Sequence, residues 1–208
     1  MHLRPLALGL ILGLATPALA LPIALPEQKE LTQQVSALPA SLTDLPPAVI
    51  AAFVAQEDRF FWDRVRAGHD STLTAMAVRL LVEDTPTDWG QASPLEKEDA
   101  VEEMTLLASP EQILTIYLNL IPLGGEIVGL TEASEIYFDK TPKQLTPAEA
   151  AWLAVIAGSP EIALKPANRD RTKSQRDYVL RQMAKAGALT QDALAEQLKQ
   201  PMPEVPEG

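Results

Sequence analysis

Residues 109–160 read SPEQILTIYLNLIPLGGEIVGLTEASEIYFDKTPKQLTPAEAAWLAVIAGSP, and they settle the fold class. Two segments of this stretch open in the same way. Ser109-Pro110-Glu111 and Thr146-Pro147-Ala148-Glu149 each set a hydroxyl residue before a proline. A hydroxyl there accepts from the free N–H groups of a helix start, and proline fits the first helical position because its missing N–H is not needed. Thr146 and Glu149 also have the spacing of a reciprocal capping box. Behind each cap runs an apolar segment of helical length, and LIPLGGEIVG reads as a loop between two helices. Gly158, and farther on Gly187, stand where helices should stop.

The same reading over the rest of the chain predicts helices at 27–38, 47–66, 72–83, 95–108, 110–121, 129–138, 147–157, 172–186 and 191–200. No segment alternates convincingly between apolar and polar residues, so a short hairpin is the most sheet the chain can hold. The expected fold is therefore all-α. The chain has 208 residues, enough for one domain with a real core, and shows no repeats. The last eight residues, PMPEVPEG, are proline-rich and acidic and are expected to be disordered.

Composition excludes several functions. Cysteine is absent, which removes disulfides and thiolate metal sites, and two histidines are too few for a histidine metal centre. A net charge of -11 argues against nucleic acid as a partner, because phosphate contacts need basic surface. Charge is uneven: residues 83–103 hold eight acids and one base, Lys97, whereas Arg169, Arg171, Lys173, Arg176 and Arg181 dominate 165–185. Such runs are usually solvated helix faces; the sharper reading is that the basic segment holds an anion or pairs with the acidic one. The N-terminus, MHLRPLALGLILGLATPALALP, has a basic start at Arg4, an apolar stretch and the small-residue pattern Ala18-Leu19-Ala20. That is the pattern of a secretory signal over residues 1–20, with an uncleaved anchor as its rival. Either way the body is expected outside the cytoplasmic membrane, as a periplasmic or secreted protein.

One residue is out of place for folding. In PPAVIAAFVAQEDRFFWDRV, starting at Pro46, the residues Ile50, Phe53, Val54, Glu57 and Phe61 fall on one face at helical spacing. A carboxylate on an apolar face is costly to bury as the anion. It must be paired, protonated, or set at the wall of a cleft, and the last is how proteins make general acids and bases. A structural carboxylate, bonded to Arg59, Arg64 or a helix N-terminus, is the alternative for Glu57. Asp58 reads as a surface residue or a local ion-pair partner. Tyr117, Asn119, Tyr137 and Phe138 read as core and loop-fixing residues, Asn119 by bonding the backbone of the loop after it. Lys140 reads as a cap on a helix C-terminus.

Over roughly residues 46–189 the chain resembles the peptidoglycan glycosyltransferases of family 51, the polymerase domain of penicillin-binding proteins and monofunctional transglycosylases. The residues carrying the likeness are Ile113-Leu114 with Tyr117-Leu118-Asn119, Gly124, Gly129, Tyr137-Phe138 with Lys140, and Leu145-Thr146 with Glu149-Ala150-Ala151. Arg176, Val179-Leu180 and Met183 match a later helix, AFVAQEDRFFW resembles the family's first motif, and STLTAMAVRLL resembles its second. The resemblance implies a lysozyme-like, nearly all-helical domain at 46–200, after an extension at 21–45. It implies extension of glycan from lipid-linked disaccharide pyrophosphate in the bacterial envelope, with Glu57 as the base that takes the acceptor hydroxyl proton. The implied partners are the peptidoglycan precursor or glycan strand and other cell-wall synthesis proteins. Arg79, Arg64 and Arg176 are the candidate substrate-binding cations; if the protein is active, Mg2+ or Mn2+ held through Glu98 or Glu102 is the candidate cofactor, and otherwise none is expected.

The departures from the family pattern are as informative. Arg64 stands where the family has histidine, and Ala75 and Met76 stand for two glutamines. Ser71 follows Asp70 directly, which omits a membrane-dipping flank of the family, and SPLEKEDAVEEM lacks the paired bases of the third motif. Three functions stay open: a divergent glycosyltransferase of weak activity, a non-catalytic binding or regulatory descendant, and a lysozyme-like enzyme that cleaves glycan through Glu57.

Overall fold

In the computed structural model, residues 23–82 and 89–205 are described. The proposed signal or anchor at 1–20 lies outside them. The helices are α1 (Gln28–Ser36), α2 (Pro47–Glu57), α3 (Phe61–Arg66), α4 (Thr72–Val82), α5 (Pro94–Leu107), α6 (Pro110–Leu120), α7 (Gly129–Phe138), α8 (Pro147–Ala157), α9 (Pro160–Ala163), α10 (Arg169–Lys185) and α11 (Gln191–Leu198). Short 3-10 turns at Leu42–Asp44, Pro142–Gln144 and Pro166–Asn168 join some of them. Among the described residues the only extended pairing is an isolated bridge between Pro122 and Val128, so the protein is all-α.

Two apolar helices form the centre. Every residue of α8 from Ala150 to Ala157 is buried, and α2 and α10 pack on it; a helix apolar all round has to be enclosed in this way. In α6 every residue from Ile113 to Asn119 is buried, with α4 as its main partner. Both start as their caps require. Ser109 Oγ accepts from Gln112 N at 3.2 Å while Ser109 N donates to Gln112 Oε1 at 2.9 Å. Thr146 and Glu149 make the same exchange at 3.3 and 2.8 Å. The second Glu149 oxygen takes Lys140 Nζ at 2.6 Å, so Lys140 supports the capping box of α8 instead of capping α7. Asp139, left-handed at φ 53°, ends α7.

Three further expectations are corrected. The helix expected at 47–66 breaks at Asp58, whose backbone is extended (φ -154°, ψ 92°). Its Oδ1 accepts from Phe60 N at 3.0 Å, so the side chain competes with the helix for that donor and turns the chain into α3. Asn119 holds the segment before α2, not the following loop: Oδ1 accepts from Ala40 N at 2.9 Å and Nδ2 donates to Ala40 O at 2.8 Å. That segment is part of the core, with Ile23, Leu31 and Ala40 buried. The third correction is the tail. Residues 201–205 pack on the domain, and Arg169 donates to the carbonyls of Met202 and Pro203 at 3.0 and 3.1 Å.

Candidate active site at the end of helix α2

Glu57 is the last residue of α2, and the Asp58 turn fixes where its carboxylate points. It is half-buried. Its Oε1 is sealed from solvent and has no hydrogen-bond partner, which leaves Oε2 as the oxygen able to meet a substrate. Burial raises its pKa, only partly offset by the nearby Tyr117 hydroxyl, so the neutral acid is favoured more than for a carboxylate in water. The phenol of Tyr117, on α6, is equally sealed and without a partner in hydrogen-bonding geometry. Burial first, then the Glu57 charge, hold it well above the ordinary phenol range, so it stays neutral. Phe53 meets the Tyr117 ring edge-on at 6.2 Å and walls the pair on one side. Sequence reasoning placed Tyr117 in the core; its periodicity does show burial, but nothing local shows that its hydroxyl faces Glu57.

The raised pKa has a stability consequence. Below the unfolded value of about 4.5 the carboxyl is neutral in both states and burial carries no charge penalty. As pH rises from there through the folded pKa, the unfolded chain ionises first and stability falls. Glu57→Gln removes that loss. The variant is expected to melt above the wild type at pH 7, with the difference vanishing near pH 4. Calorimetry at the two pH values checks this; an equal or lower melting temperature for the variant at pH 7 would contradict it.

The other candidates lie on α3, α4, α5 and α10. Arg64, half-exposed on α3, lies 3.7 Å from Asp58 Oδ2. Asp58 itself is buried, so it is a turn-forming residue and not a surface acid. Arg79 is exposed on α4. Arg176 is 1% exposed; its Nε and Nη2 donate to Asp177 Oδ1 at 3.0 and 2.7 Å, and Nη1 donates to Gln200 O at 2.9 Å and Pro201 O at 3.3 Å. A guanidinium so enclosed ties the tail to α10 and presents nothing to a phosphate. Glu98 and Glu102 are exposed one turn apart on α5, which packs on α4. Among the described residues no three His, Cys, Asp or Glu side chains come together to hold a metal ion. Two exposed carboxylates are a poor fit to a divalent cation, and no step is assigned to one.

Two pockets flank α2. One, of about 230 Å³, is polar, with Gln56 facing Gln175 and Arg171 of α10. The other is larger and apolar, between α2 and the C-terminal end of α10. The connection from α3 to α4 is residues 67–71 alone, so no flank projects there. No helix among the described residues is long and apolar enough to cross a membrane.

Comparison with known proteins finds relatives among the penicillin-binding proteins. Penicillin-binding protein 1C of Escherichia coli (strain K12) is 30% identical over 184 residues, covering 79% of this chain and 23% of that protein. Penicillin-binding protein 2D of Bacillus subtilis (strain 168) is 29% identical over 182 residues, covering 77% and 26%. The chain thus spans about a quarter of the length of these relatives. Penicillin-binding protein 1A from Haemophilus influenzae, a crystal structure, shares 24% identity with a TM-score of 0.49, covering 79% of this chain and 18% of that one. The family described as Transglycosylase matches residues 70–184, a span that holds α4 to α9 and most of α10 and begins after Glu57. With more than half of its residues inside that match, this chain belongs to the transglycosylase family.

Proposed function

We propose that the protein is a divergent peptidoglycan glycosyltransferase that acts in cell-wall glycan synthesis from lipid-linked disaccharide, with weak activity, in the bacterial envelope. The observation that carries this is Glu57: a half-buried carboxylate with raised basicity, one oxygen sealed and the other left for substrate. In the reaction Oε2 takes the proton of the acceptor hydroxyl. The acceptor's hydroxyl oxygen then attacks the anomeric carbon of the donor sugar, the bond to the pyrophosphate breaks, and the pyrophosphate leaves. A carboxylate of raised pKa is better suited to this than one in water.

Leaving-group stabilisation is where the site is poor. Arg176 is enclosed, Arg64 stands beside Asp58, and α5 carries acids where the family has bases. Removing one preorganised electrostatic contact typically lowers a rate by about 100- to 1000-fold. The same observations favour a second reading, a binding or regulatory descendant that keeps the fold and lacks turnover. No observation favours glycan cleavage over either.

Polymerisation of lipid-linked disaccharide by the purified full chain, beside Glu57→Gln, separates the readings. Slow polymer formation that falls at least tenfold in the variant is expected. Glycan binding of equal strength in both proteins with no polymer would transfer the assignment to the binding role. Polymer formation at the same rate in both would remove Glu57 as the base.

A further inference from the structure

The larger pocket flanking α2 is outside the Glu57 site. Its floor is made by Ala51, Val54 and Ala55. At 100° per residue this strip is centred about 110° around α2 from Glu57, roughly a third of a turn. The pocket holds about 540 Å³, within the roughly 300–1,000 Å³ range of small-ligand sites. Phe60, 48% exposed, and Trp62 form an aromatic wall, and Ala186 and Ala188, just past the end of α10, also line the pocket.

Charge at this pocket runs against the rest of the molecule. The chain carries 28 acids to 17 bases, yet no acid lines the pocket and two cations do. Arg59 lies 4.6 Å over the Phe60 ring, and neither Arg59 nor Lys185 has an acidic partner among the described residues. An apolar floor of two alanines and a valine admits a chain or ring with little steric bulk. Two unpaired cations at its rim would hold one anionic group, Arg59 in its stacked position already oriented for it.

We propose that this pocket binds an amphipathic anion, an apolar chain bearing a single carboxylate or phosphate head. The chain lies along Ala51, Val54 and Ala55 against Trp62, and the head pairs with Arg59 and Lys185. The assignment is independent of the role of Glu57.

Trp62 reports the test. Tryptophan emission of the full chain is titrated, below the micelle concentration, with dodecyl phosphate, with dodecyl maltoside and with dodecyltrimethylammonium. Saturable binding of the phosphate, at least tenfold tighter than the uncharged or cationic amphiphile, is expected. Arg59→Glu with Lys185→Glu, both exposed positions, should weaken it at least tenfold, and Ala55→Trp should abolish it by filling the floor. Circular dichroism establishes that each variant is folded; if Ala55→Trp is not, the charge-reversal pair decides. Equal affinity for all three amphiphiles, or phosphate binding unchanged by charge reversal, would overturn the proposal. Co-sedimentation with phosphatidylglycerol vesicles separates pocket from surface: if folded Ala55→Trp keeps both vesicle and dodecyl phosphate binding, the cations merely adhere to anions and the pocket is not the site.

Discussion

Arg176→Ala should destabilise the protein by about 3 kcal/mol or more, the usual cost of breaking a buried ion pair by removing one partner. Four hydrogen bonds of the enclosed guanidinium are lost: two to Asp177 Oδ1 and two to the carbonyls of Gln200 and Pro201. Those carbonyls lose a donor, and Asp177 keeps only Lys173, at 2.8 Å from Oδ2. At roughly 2–4 °C per kcal/mol for a chain of this length, the melting temperature should fall by about 6 °C or more. The tail should also come free, so that limited proteolysis removes it ahead of global unfolding. The effect depends on pH in a fixed direction. Burial acts to raise the Asp177 pKa, but the hydrogen bonds from Lys173 and Arg176 and their charges outweigh it, and the folded value is lowered below 3.8. The pair therefore stabilises the fold above pH 3.8, and its contribution fades as pH falls through the folded value. A melting temperature within 2 °C of the wild type at pH 7, with the tail still protected, would show that Arg176 is not the tie.

Gly129→Ala should be comparably severe, for a different reason. Gly129 opens α7 at φ 82°, where a side chain costs roughly 1–2 kcal/mol. Its Cβ would in addition collide with the main-chain carbonyl of Asn119, which cannot swing aside as a side chain could. Gly129 N donates to Ile121 O at 2.9 Å, so the two strands of this turn are already drawn together. Asn119 in turn holds both backbone groups of Ala40, and any shift reaches the segment before α2. A loss of roughly 3 kcal/mol or more is expected, the strain and the clash acting together. Gly187→Ala is the control. Gly187 has nearly the same φ, 81°, with nothing within 4 Å of the added carbon, so only the conformational part should appear. Equal melting-temperature losses for the two alanines would refute the close-approach argument.

Much of the fold was legible because its signals are local. The caps at Ser109 and Thr146, each made within four residues, fixed where α6 and α8 begin, and the bounds expected for α7 and α8 match those observed. The apolar run behind Thr146 required an enclosed helix, and the lone carboxylate at Glu57 marked the candidate site. The break at Asp58 was harder to read. Helical periodicity continues through it, and the competing bond from Phe60 N depends on one side-chain torsion.

What only the tertiary structure decided is the choice of partner for each buried polar group. Arg176 stands on a basic helix and could face solvent, phosphate or protein; its partners lie on its neighbour Asp177 and on carbonyls 24 and 25 residues away. Asn119 binds a backbone 79 residues distant, and Tyr117 on α6 lies beside Glu57 of α2. Every residue carries the same carbonyl and N–H, so a sequence does not mark which of them will accept or donate at long range. Residue type and spacing set which groups must be buried and which helices form; packing alone decides what those groups face once the helices close around them.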